Sequence, residues 1–227
     1  MERNILMKKI LIVLMIVLFI LGMKHTVVKE FKHDDAPPQS TEAVSENTEN
    51  ENQSVSISIT ATGDFTLATD TKAPTDGSFV SELKAQNNDY DYFLKNVKEY
   101  FEDDDLTIIN FEGTLSENGS RADKQFAFRG KPEYINIISN ASIEAANIAN
   151  NHTLDYGKQA LEDTKKIISD NNIAVFGGET YAIVEKKGIK IGLIGTNALN
   201  AAATENFEPT FDALKSENPD MIIAVFH

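Results

Sequence analysis

Asp64, Glu112, Asn150, Asn151, His152, Asn197 and His227 share one property: each stands where an apolar run of the chain stops. Turn preferences account for an aspartate after Gly63 or for a pair of asparagines, but turns do not ask for glutamate or histidine. The chain holds four histidines, and the two that lie past residue 55, His152 and His227, both close an apolar run. Carboxylate, carboxamide and imidazole groups, with no cysteine anywhere in the chain, suit hard or borderline divalent cations such as Mn, Fe, Zn or Mg. Two such ions ~3.5 to 4 Å apart can clamp a phosphoryl group and activate water. In that scheme Asp64 and Glu112 are charged metal ligands and Asn151 a neutral one. His152, beside the ligands, is free to donate a proton to a leaving oxygen, and Asp155 is close enough along the chain to orient its ring. Taken singly, each residue reads as a turn former or a strand cap. Their recurrence at one kind of position favours a site.

That position follows from the elements between them. "SVSISITATGD" alternates apolar and hydroxyl residues with the period of a strand before breaking at Gly63 and Asp64. "DYDYFLKNVKEYFEDDD" spaces Tyr92, Phe93, Val97, Tyr100 and Phe101 for an amphipathic helix. "LTIINFE" (106–112) reads as a second strand, a short helix is expected near Pro132, and "SIEAANIAN" (142–150) reads as a third strand. "GKQALEDTKKIISDNN" is a helix with Leu161, Ile167 and Ile168 inward, followed by a short strand "IAVFG". A hairpin is expected to turn at Lys187-Gly188, and the last stretch reads as helix then strand. Strands alternating with helices predict an α/β fold with a largely parallel sheet. Open parallel sheets bind ligands beyond the carboxyl ends of their strands, which is where these polar residues fall.

The bulk composition limits the partners. With 35 acidic against 21 basic residues, the formal charge is -14, so nucleic acid is repelled and no nucleic-acid role is expected. The 41% apolar content is enough to build a real core in 227 residues. Arg3, Lys8 and Lys9 precede an apolar run over 10–21. At 1.5 Å per residue, 10–23 covers about 21 Å, which suits the apolar region of a removable signal. No small-residue cleavage site follows, however, and the run approaches spanning length if 5–7 are included while Lys8 and Lys9 snorkel. Residues 1–29 are therefore expected to be an N-terminal signal-anchor, a single-pass transmembrane segment with the chain beyond it outside the cell membrane. Residues 30–54, acidic and rich in Ser, Thr, Asn and Gln, cannot bury enough surface to fold and are expected to be a disordered linker. Residues 55–227 form the folded part.

"ATGDFTLATD", "IINFEGTL", "FAFRGKPEY", "NIANNHTLDYG" and the final "IIAVFH" occur in the order and approximate spacing of the CapA family of bacterial capsule-synthesis proteins. The resemblance runs from Ile57 to His227. It implies a calcineurin-like metallophosphatase sandwich, two sheets flanked by helices, with a metal site at the strand ends. It also implies a role in capsule or poly-gamma-glutamate synthesis or export, as a membrane-anchored protein working with synthesis and export subunits and facing a polyanionic polymer. By the metallophosphatase pattern Asp64, Glu112 and the Asn151-His152 pair match site residues, and His227 resembles the histidine that opens a His-Trp-Gly-x-Glu string and would be a further metal ligand. Thr66 stands where that pattern has a histidine, and Thr153 where it has an acid, which leaves Asp155 to substitute. The rest of the His-Trp-Gly-x-Glu string and a later Gly-His-x-x-His segment are not in this sequence, so the domain is expected to be partial at its C-terminus. Two functions stay open on these residues: a non-hydrolytic part of a polymer-export assembly, and a metal-dependent phosphoesterase acting on a cell-envelope phosphate ester. An inactive fragment of either is the third reading.

Overall fold

The computed structural model describes residues 54–199 and 204–227. The expected anchor, 1–29, and all of the linker, 30–54, except Ser54 lie outside the described residues. Among the described residues no helix is long and apolar enough to cross a membrane.

Among the described residues, ten strands and five α-helices make up the folded unit. In chain order they are β1 (Ile59–Phe65), β2 (Thr69–Asp70), α1 (Phe79–Ala85), α2 (Lys98–Asp103), β3 (Leu106–Phe111), β4 (Thr114–Leu115), β5 (Phe128–Gly130), α3 (Ile135–Ser139), β6 (Ala145–Asn147), α4 (Gly157–Asp170), β7 (Ala174–Phe176), β8 (Ala182–Lys186), β9 (Ile189–Thr196), α5 (Phe207–Ser216) and β10 (Met221–Phe226). A 3-10 turn, Pro132–Tyr134, leads into α3. The first sheet has the order β1-β3-β6-β7 and is parallel throughout. The second has the order β10-β9-β8, with β10 parallel and β8 antiparallel to β9. A small third sheet, β2-β5-β4, was not foreseen from the sequence.

The side-chain period of two explains the layering. All six residues of β3 are buried because both of its faces are covered. Leu106 and Ile108 face the second sheet, in one cluster with Ala145, Phe176, Ile191 and Leu193. Ile109 and Phe111 face the other way, among Leu83, Phe101, Ile137, Ile138 and Ile168 of the helical layer. Each such aliphatic side chain contributes roughly 1.5–3 kcal/mol on full burial. The result is α/β, a two-sheet sandwich flanked by helices, as expected for the calcineurin-like class.

Several expected elements are present with shifted limits. The hairpin turns at Lys187-Gly188, whose φ values of 52° and 79° are both positive, as a two-residue type I′ connection requires. The third strand is only Ala145–Asn147, because Asn147 Oδ1 accepts the N–H of Ala149 and bends the chain out of the sheet. The amphipathic helix expected over 89–105 shrinks to Lys98–Asp103. Asp89 Oδ1 accepts the N–H of Asp91 at 3.0 Å, a local turn that competes with helix, and Phe93 instead stacks on Phe79 with ring centroids 4.9 Å apart. Tyr100 and Val97, expected on the buried seam, are exposed. The helix α1 supplies the missing cover, opened by Ser78 Oγ accepting the N–H of Ser81.

Candidate metal centre

The sandwich brings residues from both sheets to one edge. On the first sheet, Asp64 pairs in register with Asn110, and Asn110 with Asn147. The pairing of β1 slips between Ala61 and Asp64, so three steps along β1 match two along β3. This bulge at Thr62-Gly63 sets Asp64 beside Asn110, on the face that looks at the second sheet. On the second sheet, Ile223 and Val225 point into the sandwich. The same alternation carries the side chain of His227, the residue after β10, into the gap between the sheets, and the backbone N–H of His227 donates to the carbonyl of Thr196 at 3.1 Å.

Asp64, Glu112 and His227 there offer ligand atoms that all lie within 4.8 Å of one another. His227 Nδ1 is 3.6 Å from Asp64 Oδ1, and Nε2 is 3.4 Å from Glu112 Oε1. Asn151 Oδ1 is 2.9 Å from His227 Nε2. Four of the six expected site residues therefore meet. Glu112 and His227 are largely buried, while the Asp64 side chain is 54% exposed, which leaves the cluster open to solvent on one side. Thr66, in the place of the expected histidine, donates its hydroxyl to Glu112 Oε2 at 3.2 Å. Two carboxylates and one carboxamide oxygen, with an imidazole beside them, form a donor set that fits one hard or borderline divalent cation. Among the described residues this is the one cluster of three or more such donors.

His152 and Asp155 form a second group on the same loop. Asp155 Oδ2 accepts from His152 Nδ1 at 2.7 Å and from the N–H of Phe128 at 2.6 Å. Asp155 Oδ1 accepts from Lys124 Nζ at 2.7 Å, and the same ammonium donates to the carbonyl of Asn151 at 2.8 Å. Both His152 and Asp155 are buried, and the imidazole lies over the ring of Phe128, centroids 4.4 Å apart. A carboxylate on Nδ1 holds the proton there and leaves Nε2 as the working atom. Sequence reasoning missed Lys124. It also passed over Asn110 and Asn147, although a polar residue inside the apolar runs "LTIINF" and "AAN" signals a buried group in need of partners. Asn150, expected only as a strand end, holds the loop in place, since its amide donates to the carbonyl of Phe111 at 2.7 Å and so ties the loop to β3.

A cavity of about 560 Å³ opens beside the cluster. Ile148, Leu154 and Leu161 form its apolar wall, and Asn151, Asn197 and Lys158 contribute polar groups. Asn151 belongs to both cavity and cluster.

Residues 58–223 match the family described as "Bacterial capsule synthesis protein PGA_cap". The chain belongs to this family. Among individual PGA_cap relatives, the capsule biosynthesis protein CapA of Bacillus anthracis is 28% identical over 145 residues, covering 59% of this chain and 35% of its own length. The PGA biosynthesis protein CapA of Bacillus subtilis (strain 168) is 28% identical over 129 residues, covering 52% of this chain and 34% of its own. The chain thus spans about a third of the length of the curated relatives it matches. Among solved structures, a Staphylococcus aureus protein assigned provisionally as a 5′-nucleotidase, in complex with alpha-ketoglutarate, overlaps it with a TM-score of 0.42 and 14% identity, over 75% of this chain and 37% of that one. That overlap is too loose to bear on function.

Proposed function

We propose that this PGA_cap chain serves capsule or poly-gamma-glutamate synthesis or export as a cell-surface accessory protein. Residues 1–29 anchor it as a single-pass span, 30–54 act as a stalk, and the folded unit faces outside alongside the synthesis and export subunits. The observation that carries the reading is the convergence of Asp64, Glu112 and His227 at the sandwich edge in a member of a capsule-synthesis family. A protein with net charge -14 repels a polyanion. A divalent cation held by Asp64, Glu112 and Asn151, with His227 beside them, supplies the positive charge that bridges protein and polymer carboxylates.

Equilibrium dialysis of the full chain in detergent against poly-gamma-glutamate tests this. Retention is expected with Mn²⁺ present, and its loss with chelator or with Asp64→Asn plus Glu112→Gln. Retention that ignores both treatments would reject the cation bridge.

The buried His152–Asp155 pair favours a second reading, a metal-dependent phosphoesterase with His152 as general acid. Turnover of an aryl phosphate with Mn²⁺, abolished by His152→Ala, is its expected signature. Metal binding without turnover would leave the assembly role alone.

A further inference from the structure

Asn110 lies at the centre of a chain of buried amides whose orientation is fixed from both ends. Asn147 Oδ1 accepts the N–H of Ala149 at 3.2 Å, and Asn150 Oδ1 accepts the N–H of His152 at 3.0 Å. A backbone N–H only donates, so both side chains must turn their NH₂ groups the other way. Both NH₂ groups donate to Asn110 Oδ1, at 2.8 and 3.3 Å. Neighbouring backbone leaves Asn147 no room to rearrange: a Cβ added to Gly195 would come 2.1 Å from its Oδ1, and one added to Gly177 2.5 Å.

With its oxygen occupied by two donors, Asn110 shows only its NH₂ to the cluster. That group donates to Asp64 Oδ1 at 2.7 Å and lies 3.0 Å from His227 Nδ1. Nδ1 must then be the acceptor, and the neutral ring carries its proton on Nε2. That atom faces Asn151 Oδ1 at 2.9 Å and Glu112 Oε1 at 3.4 Å, both acceptors. An imidazole nitrogen ligates a cation through a free lone pair, and here one nitrogen's lone pair is engaged while the other nitrogen is protonated.

We propose that the Asn147–Asn110–Asn150 amide relay makes the cluster an oxygen-only cation site. Asp64, Glu112 and Asn151 take the ion, and His227 stays a hydrogen-bond donor to Glu112 and Asn151 rather than a ligand. The ligand class is a hard, oxygen-preferring cation of the Mg²⁺ or Mn²⁺ type, with zinc denied the imidazole that would favour it. Asn110 is thereby a positioning residue that sets metal preference. This rests on the reading of the cluster as a cation site and changes the role the sequence suggested for His227.

The test titrates the purified full chain separately with Mn²⁺ and Zn²⁺. His227→Ala removes a donor to two ligands and is expected to weaken Mn²⁺ and Zn²⁺ by the same factor, whereas loss of an imidazole ligand would weaken zinc selectively. Asn110→Asp replaces the NH₂ with an oxygen that accepts from Nδ1–H, which frees the Nε2 lone pair; because the new carboxylate also faces Asp64 and attracts any cation, the readout is zinc affinity relative to Mn²⁺. Zinc affinity is then expected to rise about 10-fold or more, and a further His227→Ala is expected to cancel the gain. A loss in His227→Ala that falls at least ~10-fold harder on zinc than on Mn²⁺, or no zinc gain in a folded Asn110→Asp, overturns the proposal.

Long-range ¹H–¹⁵N spectra of the unsubstituted chain, with and without Mg²⁺, do not depend on any variant folding. They should show the Nε2–H tautomer of His227, and an Nδ1–H tautomer overturns the relay. A chain that binds no cation at all fails the cation-site reading, and the metal-free spectrum then still judges the amide lock by itself.

Discussion

His227 Nε2 lies 2.9 Å from Asn151 Oδ1, a contact that joins residues 76 positions apart. One closes β10 of the second sheet and the other follows β6 of the first, so the cluster straddles the sandwich. Neither sheet alone assembles the four-residue cluster. Its geometry depends on how closely the two sheets approach, and Gly195 of β9 packs tightly against Asn147 of β6.

Gly195→Ala is therefore expected to destabilise the fold by about 1–3 kcal/mol, the range for overpacking a filled interior. The added methyl meets Oδ1 of Asn147, which accepts the Ala149 N–H while the NH₂ of the same side chain donates to Asn110 Oδ1, and cannot push it aside. Urea denaturation followed by circular dichroism measures the change. A midpoint equal to that of the unsubstituted chain would show that the sheets have slack here.

Asp155→Asn is expected to cost about 1–3 kcal/mol despite its equal size. The carboxylate accepts from three donors: the Phe128 N–H, His152 Nδ1–H and the Lys124 ammonium. A carboxamide must turn an NH₂ toward at least one of them and leave buried donors facing each other. Loss of the His152–Phe128 ring contact should accompany it, seen as movement of the His152 ring resonances. Unaltered stability and unaltered resonances would remove Asp155 from any orienting role.

Acid sensitivity should centre on Asp70. Two Arg121 nitrogens, at 2.6 and 3.0 Å, and the N–H groups of Lys72 and Ala127 hold its buried carboxyl well below the usual carboxylate range, the Arg121 hydrogen bond contributing most. A depressed folded-state pKa stabilises above the unfolded value, about 3.9, and that stability is lost as pH falls further toward the folded value. Arg121→Met removes the main cause, so the folded pKa rises toward the unfolded value and the stability that Asp70 contributes at neutral pH shrinks. Stability measured between pH 3 and pH 7 should be lower in the variant near neutral pH and fall less steeply on the acid side, because less of the Asp70 contribution is left to lose. Parallel profiles would mean that Asp70 does not govern the acid limb.

The sequence was informative where chemistry and period coincide. The strands carrying Asp64, Glu112 and His227 were legible because apolar alternation ends on groups that turns do not request, and the parallel-sheet rule then placed those ends together. The hairpin was legible from Lys187-Gly188. The helix over 89–105 was misread because its spacing of aromatic residues is helical while Asp89 closes a local turn that the period does not reveal. The amide relay was not legible for a different reason: Asn110, Asn147 and Asn150 acquire a common orientation only through backbone N–H groups of Ala149 and His152, which depend on the folded path. The third sheet was likewise hidden, since β2 and β4 are two residues each and leave no periodic trace.

The proposed divalent-cation site formed by Asp64, Glu112 and Asn151 is tested most directly by calorimetric titration of the full chain with Mn²⁺, run beside an Asp64→Ala plus Glu112→Ala variant. Saturable binding of about one ion per chain is expected, as one donor cluster allows, together with its loss in the variant. Absence of binding in the unsubstituted chain, or equal binding in both, would contradict it.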